Sequence, residues 1–226
     1  MAKTYAIAID GPAGAGKSTI AKALAAELGY HYVDTGAIYR TVAYFLDLLG
    51  ISPKDTDGVE RYLDELTVKI EYDEEGKQHM LMNGMDVSDE IRTQEISQKA
   101  SLAAAQPAVR EMLLDMQREV ARQNNVIMDG RDIGTVVLPK ADVKIFLTAS
   151  PEVRAHRRCD ELNAKGQKSN YEKVLQEIQQ RDYQDTHRKI APLKMAKDSV
   201  KLDTSELDIA GVVAAMKKIV EEKIPL

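Results

Sequence analysis

Gly11, Pro12, Ala13, Gly14, Ala15, Gly16, Lys17 and Ser18 match the spacing G-x-x-x-x-G-K-[ST] at every fixed position. Glycines at these positions let successive backbone N–H groups face one concavity, and the helix that follows adds its positive end. A lysine placed as Lys17 is can neutralise β- and γ-phosphates, while the Ser18 hydroxyl can ligate Mg²⁺. The bland alternative is a glycine-rich turn that happens to precede a helix. Context decides against it, because the apolar run Tyr5-Ala-Ile-Ala-Ile9 comes before the loop and an amphipathic stripe of Ile20, Leu24 and Leu28 follows. The expected ligand is a nucleoside triphosphate.

Asp129 closes the apolar run Val126-Ile-Met128 and is a candidate second carboxylate on the magnesium side. A strand-end turn at Asp129-Gly130 is the plainer reading, and only the company of the glycine loop favours the first. The arginines say more about what receives the phosphate. Arg154, Arg157 and Arg158 are spaced to share one helix face, and so are Arg181, Asp185 and Arg188 on the next helix. A solvated charged face would explain either helix alone. The two flank a short Gly-containing connection, however, as the arms of a closing lid would, and phosphoryl transfer needs both cations and the exclusion of water.

These residues need a scaffold, and the spacing supplies one. Helices are expected over residues 41–49, 94–105, 151–164, 171–187 and 209–223, with another opened by Pro107 and burying Val109, Met112, Leu113, Met116 and Val120. Strands are expected at residues 31–33, 125–128, 143–147 and 200–202. Gly29 is placed to cap the first helix. Strands alternating with helices indicate an α/β fold, a parallel sheet covered on both faces. From Leu66 the period changes: Val68, Ile70 and Tyr72 alternate with polar residues, and Asn83-Gly84 is a hairpin signal. A small antiparallel insertion follows from this, with Met80, Met82 and Met85 filling its core.

Composition narrows the field further. A chain of 226 residues carries about one and a half domains' worth of length. Its 31 basic and 36 acidic residues leave a net charge of −5, which disfavours nucleic acid as a partner. The single cysteine, Cys159, excludes an intrachain disulfide and reads as a packing residue. Four scattered histidines show no metal-ligand spacing, and His187 reads as a surface residue. No apolar run approaches the ~18 residues of a membrane span, and the N-terminus lacks a signal peptide's apolar region, so the cytoplasm is expected. A guanine-reading Asn-Lys-x-Asp is absent.

Five segments together resemble the bacterial cytidylate kinase family: Asp10-Gly-Pro-Ala-Gly-Ala-Gly-Lys-Ser-Thr19, Val33-Asp-Thr-Gly-Ala-Ile-Tyr-Arg40, Ser88-Asp-Glu-Ile-Arg92, Asp129-Gly-Arg-Asp-Ile-Gly-Thr135 and Ile190-Ala-Pro-Leu193. The likeness runs from about Ala6 to Leu207. It implies a P-loop kinase core of residues 1–65 and 106–226, a short lid at 154–170, and an inserted monophosphate-binding subdomain at 66–105. The implied reaction moves the γ-phosphoryl of ATP onto CMP or dCMP with Mg²⁺, in a monomer without nucleic acid or membrane partners. A uridylate-selective kinase and a non-kinase ATP-binding switch are the rival readings.

By the same resemblance, Thr19 joins the ATP loop. Thr35, Arg40 and Arg131 hold the acceptor phosphate with help from Arg188. Ser101, Arg110 and Asp132 face the cytosine, Arg181 and Asp185 lie at the sugar, and Arg157 and Arg158 close over the transferring group. Asp203-Thr-Ser205 is assigned to the adenine. The base contacts make chemical sense, since a carboxylate at Asp132 accepts from the cytosine N4 amino group while Arg110 and Ser101 donate to N3 and O2. The ordinary alternative for Asp132 is an ion pair with a neighbouring arginine.

Overall fold

The computed structural model describes residues 3–225. Five strands form a parallel sheet in the order β2-β6-β1-β7-β8, where β1 is Ala6–Asp10, β2 His31–Asp34, β6 Val126–Gly130, β7 Val143–Thr148 and β8 Val200–Asp203. The central strands are near-continuous apolar runs because helices cover both faces of such a sheet. Ile7, Ala8, Ile9, Val126, Ile127 and Met128 are accordingly all fully buried. Pairing sets Asp10 beside Phe146 and Ile145 beside Val200, so loops carrying the expected site residues leave the same end of the sheet.

The chain divides into two compact units, Met1–Tyr30 with Ile127–Leu226, and His31–Val126. In the first unit, α1 (Lys17–Leu28) follows the glycine loop and ends on Gly29, whose φ of 66° is the left-handed cap expected there. Two helices on the C-terminal side, α6 (Pro151–Ala164) and α7 (Tyr171–His187), form an antiparallel pair around Ala155, Cys159, Val174 and Ile178. Cys159 is thus a packing residue. Ser150 and Asn170 cap these helices by accepting from Val153 N and Lys173 N. The unit closes with α8 (Ile209–Glu221).

The second unit holds the antiparallel sheet β3-β4-β5, made of Val68–Tyr72, Gln78–Met82 and Met85–Asp86. Asn83 and Gly84 both take positive φ, 50° and 83°, as a two-residue hairpin turn requires. Met80 and Met82 are buried as expected, but Met85 is 66% exposed. It sits on the two-residue edge strand, where nothing covers it.

Two helical expectations are corrected in this unit, and one helix was not expected. The helix expected over 41–49 is α2 (Thr35–Leu48), begun six residues earlier because the Asp34 carboxylate accepts from Ala37 N at 2.9 Å. An unexpected helix, α3 (Thr56–Leu63), starts in the same way on Asp55. After α4 (Gln94–Ala103), the helix opened by Pro107 is α5 (Pro107–Gln123). Its buried stripe runs through Val109, Arg110, Leu113, Gln117 and Ala121, while Met112, Met116 and Val120 are only half-buried. The Gln117 amide nitrogen donates to Leu113 O at 3.1 Å, while its Oε1 is buried with no hydrogen-bond partner among the described residues.

Candidate active site

The glycine loop begins where β1 ends. Gly11 has φ 152°, and a Cβ there would lie 2.0 Å from the Leu147 carbonyl oxygen, so only glycine lets the loop pass β7. Gly16 at φ 83° starts α1 with no side-chain cap and no acidic residue in the first turn. The first N–H groups of the helix are left to an anion. Lys17 is buried and donates to Pro12 O at 2.8 Å, folding its ammonium back over the loop. Burial first, and then the Arg131 guanidinium, hold that ammonium well below the usual lysine range, against the opposite pull of Asp129 and Asp185.

Ser18 Oγ donates to Asp129 Oδ2 at 2.8 Å. A hydroxyl and a carboxylate side by side are hard oxygen donors suited to Mg²⁺, which takes few protein ligands and completes its shell with phosphate and water. Among the described residues no group of three or more His, Cys, Asp or Glu could hold a metal ion. Asp129 owes its position to β6, whose last two residues are Asp129 and Gly130.

Just past β6 two ion pairs tie the 131–132 segment to α7 and the residues after it. Arg131 Nε donates to Asp185 Oδ2 at 2.9 Å, and Arg188 Nη2 donates to Asp132 Oδ1 at 3.1 Å. Arg188 also donates from Nε to Ala191 O at 2.6 Å. Burial pushes the Asp185 carboxyl up, but the guanidiniums of Arg131, Arg181 and Arg188 outweigh it and hold the group below the ordinary carboxylate range. Lys17, Asp129, Arg131, Asp132, Arg181, Asp185 and Arg188 therefore form one charged cluster beside the glycine loop.

Arg157 and Arg158 are placed differently. Arg157 donates from Nη1 to Thr204 Oγ1 at 3.1 Å and from Nη2 to Thr204 O at 2.6 Å. Arg158 pairs with Glu161 on its own helix at 3.1 Å. In the 203–205 segment Ser205 folds onto Asp203, both its N–H and its hydroxyl donating to Oδ1.

In the second unit Thr35 is buried at the start of α2, and Arg40 pairs with Asp34 at 3.0 Å. Arg40 Nε is buried with no hydrogen-bond partner among the described residues. Arg110 is buried on α5, donates to Ala104 O at 3.3 Å and lies 5.7 Å from the Tyr39 ring centroid. Ser101 is half-buried on α4.

Sequence reasoning missed one residue. Asp10 accepts from Ile133 N and Gly134 N, both at 2.7 Å, pinning the single π-helical turn at Ile133–Val137 directly after Asp132. Burial pushes its carboxyl up to about 6 against the pull of those two N–H groups. Its place at the end of β1 was the available signal. Arg154 was noticed, but as part of a helix face rather than for its burial.

A glycine loop between a central parallel strand and a helix, with a buried lysine and a serine–aspartate pair, defines the class of P-loop nucleotide-binding proteins. The cytidylate kinase profile matches residues 7–222. Curated relatives named cytidylate kinase include one from Exiguobacterium sp. at 48% identity over 222 residues, covering 98% of this chain and 99% of that protein. Another, from Ligilactobacillus salivarius, is 49% identical over 224 residues, covering 99% of each. A solved structure of an uncharacterised protein from Eubacterium ventriosum shares the fold, with a TM-score of 0.52 at 11% identity over 96% of this chain and 99% of that one. The chain belongs to the cytidylate kinase family.

Proposed function

We propose that the protein transfers the γ-phosphoryl group of ATP to CMP or dCMP with Mg²⁺, acting as a monomer in the cytoplasm on small nucleotides, without nucleic acid or membrane partners. Membership of the cytidylate kinase family supports the acceptor. The observation that carries the chemistry is the Ser18–Asp129 pair, 2.8 Å apart, beside the loop closed by Lys17. The net charge of −5 supports small nucleotides rather than nucleic acid as partners, and among the described residues no helix is long and apolar enough to cross a membrane.

Each residue has a part in this reading. Main-chain N–H groups of residues 11–18, with Thr19, hold the triphosphate, and Lys17 neutralises it. Ser18 and Asp129 hold the Mg²⁺, which supplies charge neutralisation for the phosphates when bound. Thr35, Arg40, Arg131 and Arg188 hold the acceptor phosphate. Ser101, Arg110 and Asp132 read the cytosine, Arg181 and Asp185 the sugar, and residues 203–205 the adenine. Residues 66–105 act as the monophosphate-binding insertion and 154–170 as the lid, from which Arg157 and Arg158 close over the transferring group.

The acceptor oxygen is already anionic near neutral pH, so no general base is required. Catalysis comes from in-line positioning and from cations that meet the developing charge. Exclusion of water by the closed lid suppresses plain hydrolysis. An ADP-release assay with Mg²⁺ and ATP across CMP, dCMP, UMP, AMP and GMP tests the reading. Turnover confined to the cytidine nucleotides is expected. ATP hydrolysis without transfer, or a preference for UMP, would overturn it.

A further inference from the structure

Arg154 is the most deeply buried arginine of the chain at 2% exposure, and none of the phosphate, sugar or base roles above uses it. Its guanidinium spans three elements. Nε donates to Ala149 O at 2.9 Å, at the end of the β7 connection. Nη1 donates to Ala13 O at 3.0 Å, on the crest of the glycine loop. Nη1 and Nη2 fork onto Asp182 of α7 at 3.0 and 2.5 Å. Its stem also lies against Gly14, where a Cβ would meet the Arg154 Cβ, Cγ and Cδ at 3.5 to 3.9 Å.

The bond to Ala13 O matters because of peptide geometry. In a trans peptide the N–H of one residue points opposite to the C=O of the residue before it. Holding the Ala13 carbonyl toward Arg154 turns the Gly14 N–H the other way. A glycine loop grips anions only when its N–H groups converge, and the peptide before a left-handed Gly14, with φ 75°, could otherwise rotate at little cost. The fork onto Asp182 keeps the guanidinium from turning, and Asp182 lies next to Arg181 and one turn before Asp185 and Thr186.

We propose that Arg154 is a positioning residue for the phosphate donor: it sets the Ala13–Gly14 peptide in its anion-binding orientation and is itself locked by Asp182. A structural ion pair between two helices would explain the Asp182 contact but gives no reason for the bond to the loop carbonyl. The inference rests on the donor half of the proposed function, the binding of ATP in this loop, and not on the identity of the acceptor.

The test is calorimetric titration of Mg²⁺-ATP and, separately, of CMP into wild-type protein and the variants Arg154→Met, Arg154→Lys and Asp182→Asn, with melting temperatures in parallel. Arg154→Met should weaken ATP binding by about tenfold or more, the scale of a lost charged hydrogen bond, and change CMP binding by less than about twofold. Arg154→Lys should recover part of the loss, because a point charge can reach one acceptor but cannot fork. Asp182→Asn should weaken ATP binding in the same direction by a smaller factor. A folded Arg154→Met protein with wild-type ATP affinity, or with ATP and CMP weakened equally, would overturn the inference. Where Arg154→Met does not fold, unchanged ATP affinity in both other variants does the same. Wild-type protein that binds ATP but phosphorylates no cytidylate would sink the acceptor assignment alone.

Discussion

Ser18 Oγ and Asp129 Oδ2 lie 2.8 Å apart although 111 positions separate the residues in the chain. The pair exists because β1 and β6 are neighbours in the sheet, so the loop after one meets the end of the other. Asp129→Asn keeps the shape and removes the charge. Its expected effect is a rise in the Mg²⁺ concentration needed for half-maximal rate and a fall in kcat of about 10²-fold, the usual scale for losing one electrostatic contact at the reacting group. A magnesium titration at saturating ATP measures both.

Lys17 is held below its ordinary pKa by burial, with Arg131 adding to the effect. A triphosphate brings negative charge to the ammonium and raises that pKa again, so ATP binding near pH 8 should take up a proton. Calorimetric titrations in two buffers of different ionisation enthalpy should then differ in apparent enthalpy. Lys17→Met should abolish the difference and lower turnover by at least about 10³-fold, while the protein remains folded.

Asp132 makes an ion pair with Arg188 through Oδ1, and each oxygen of a carboxylate can accept more than one hydrogen bond. Uracil presents O4 where cytosine presents its N4 amino group, so a carboxylate reading the base, the role proposed for Asp132, would disfavour UMP. Asp132→Asn should lower kcat/KM for CMP and narrow the CMP-over-UMP ratio by about tenfold or more. A lower melting temperature with an unchanged ratio in competition assays would reduce Asp132 to its ion pair.

Asp185 and Asp10 should give the protein opposite pH slopes. The native Asp185 carboxyl lies below its unfolded value, so its contribution is present above about pH 4 and is lost as pH falls through the native pKa. The native Asp10 carboxyl is raised to about 6, so the native state holds the extra proton between the unfolded value and 6. Its contribution therefore declines as pH rises across that interval. Urea unfolding from pH 3 to 7 reads both effects. Asp185→Asn should flatten the acid limb and, by leaving Arg131 unpaired, cost about 3 kcal/mol at pH 7. Asp10→Asn should remove the slope between about 4 and 6.

The parts of this molecule that were legible beforehand are those written within one turn of helix or one run of strand. The glycine loop, the Gly29 cap, the Asn83-Gly84 hairpin and the bounds of α6 and α7 follow from residues a few positions apart, whose φ preferences and spacing are local properties. The same locality misled where a neighbour decides the outcome. Met85 lies opposite Met82 across the hairpin, but no described element covers an edge strand of two residues.

The charged groups show the division most clearly. Residue types and spacing nominated Lys17, Asp129, Arg181, Asp185 and Arg188, and the family resemblance added Arg131 and Asp132. Nothing in a one-dimensional string states that Arg131 meets Asp185, that Arg188 meets Asp132, that Asp10 holds two N–H groups beyond β6, or that Arg154 turns away from Arg157 and Arg158 to grip the Ala13 carbonyl. Those pairings span tens to more than a hundred residues. They are fixed by which strands lie side by side and which helices pack together, because the energy of an ion pair depends on distance and burial, and both are set only when the chain has closed on itself.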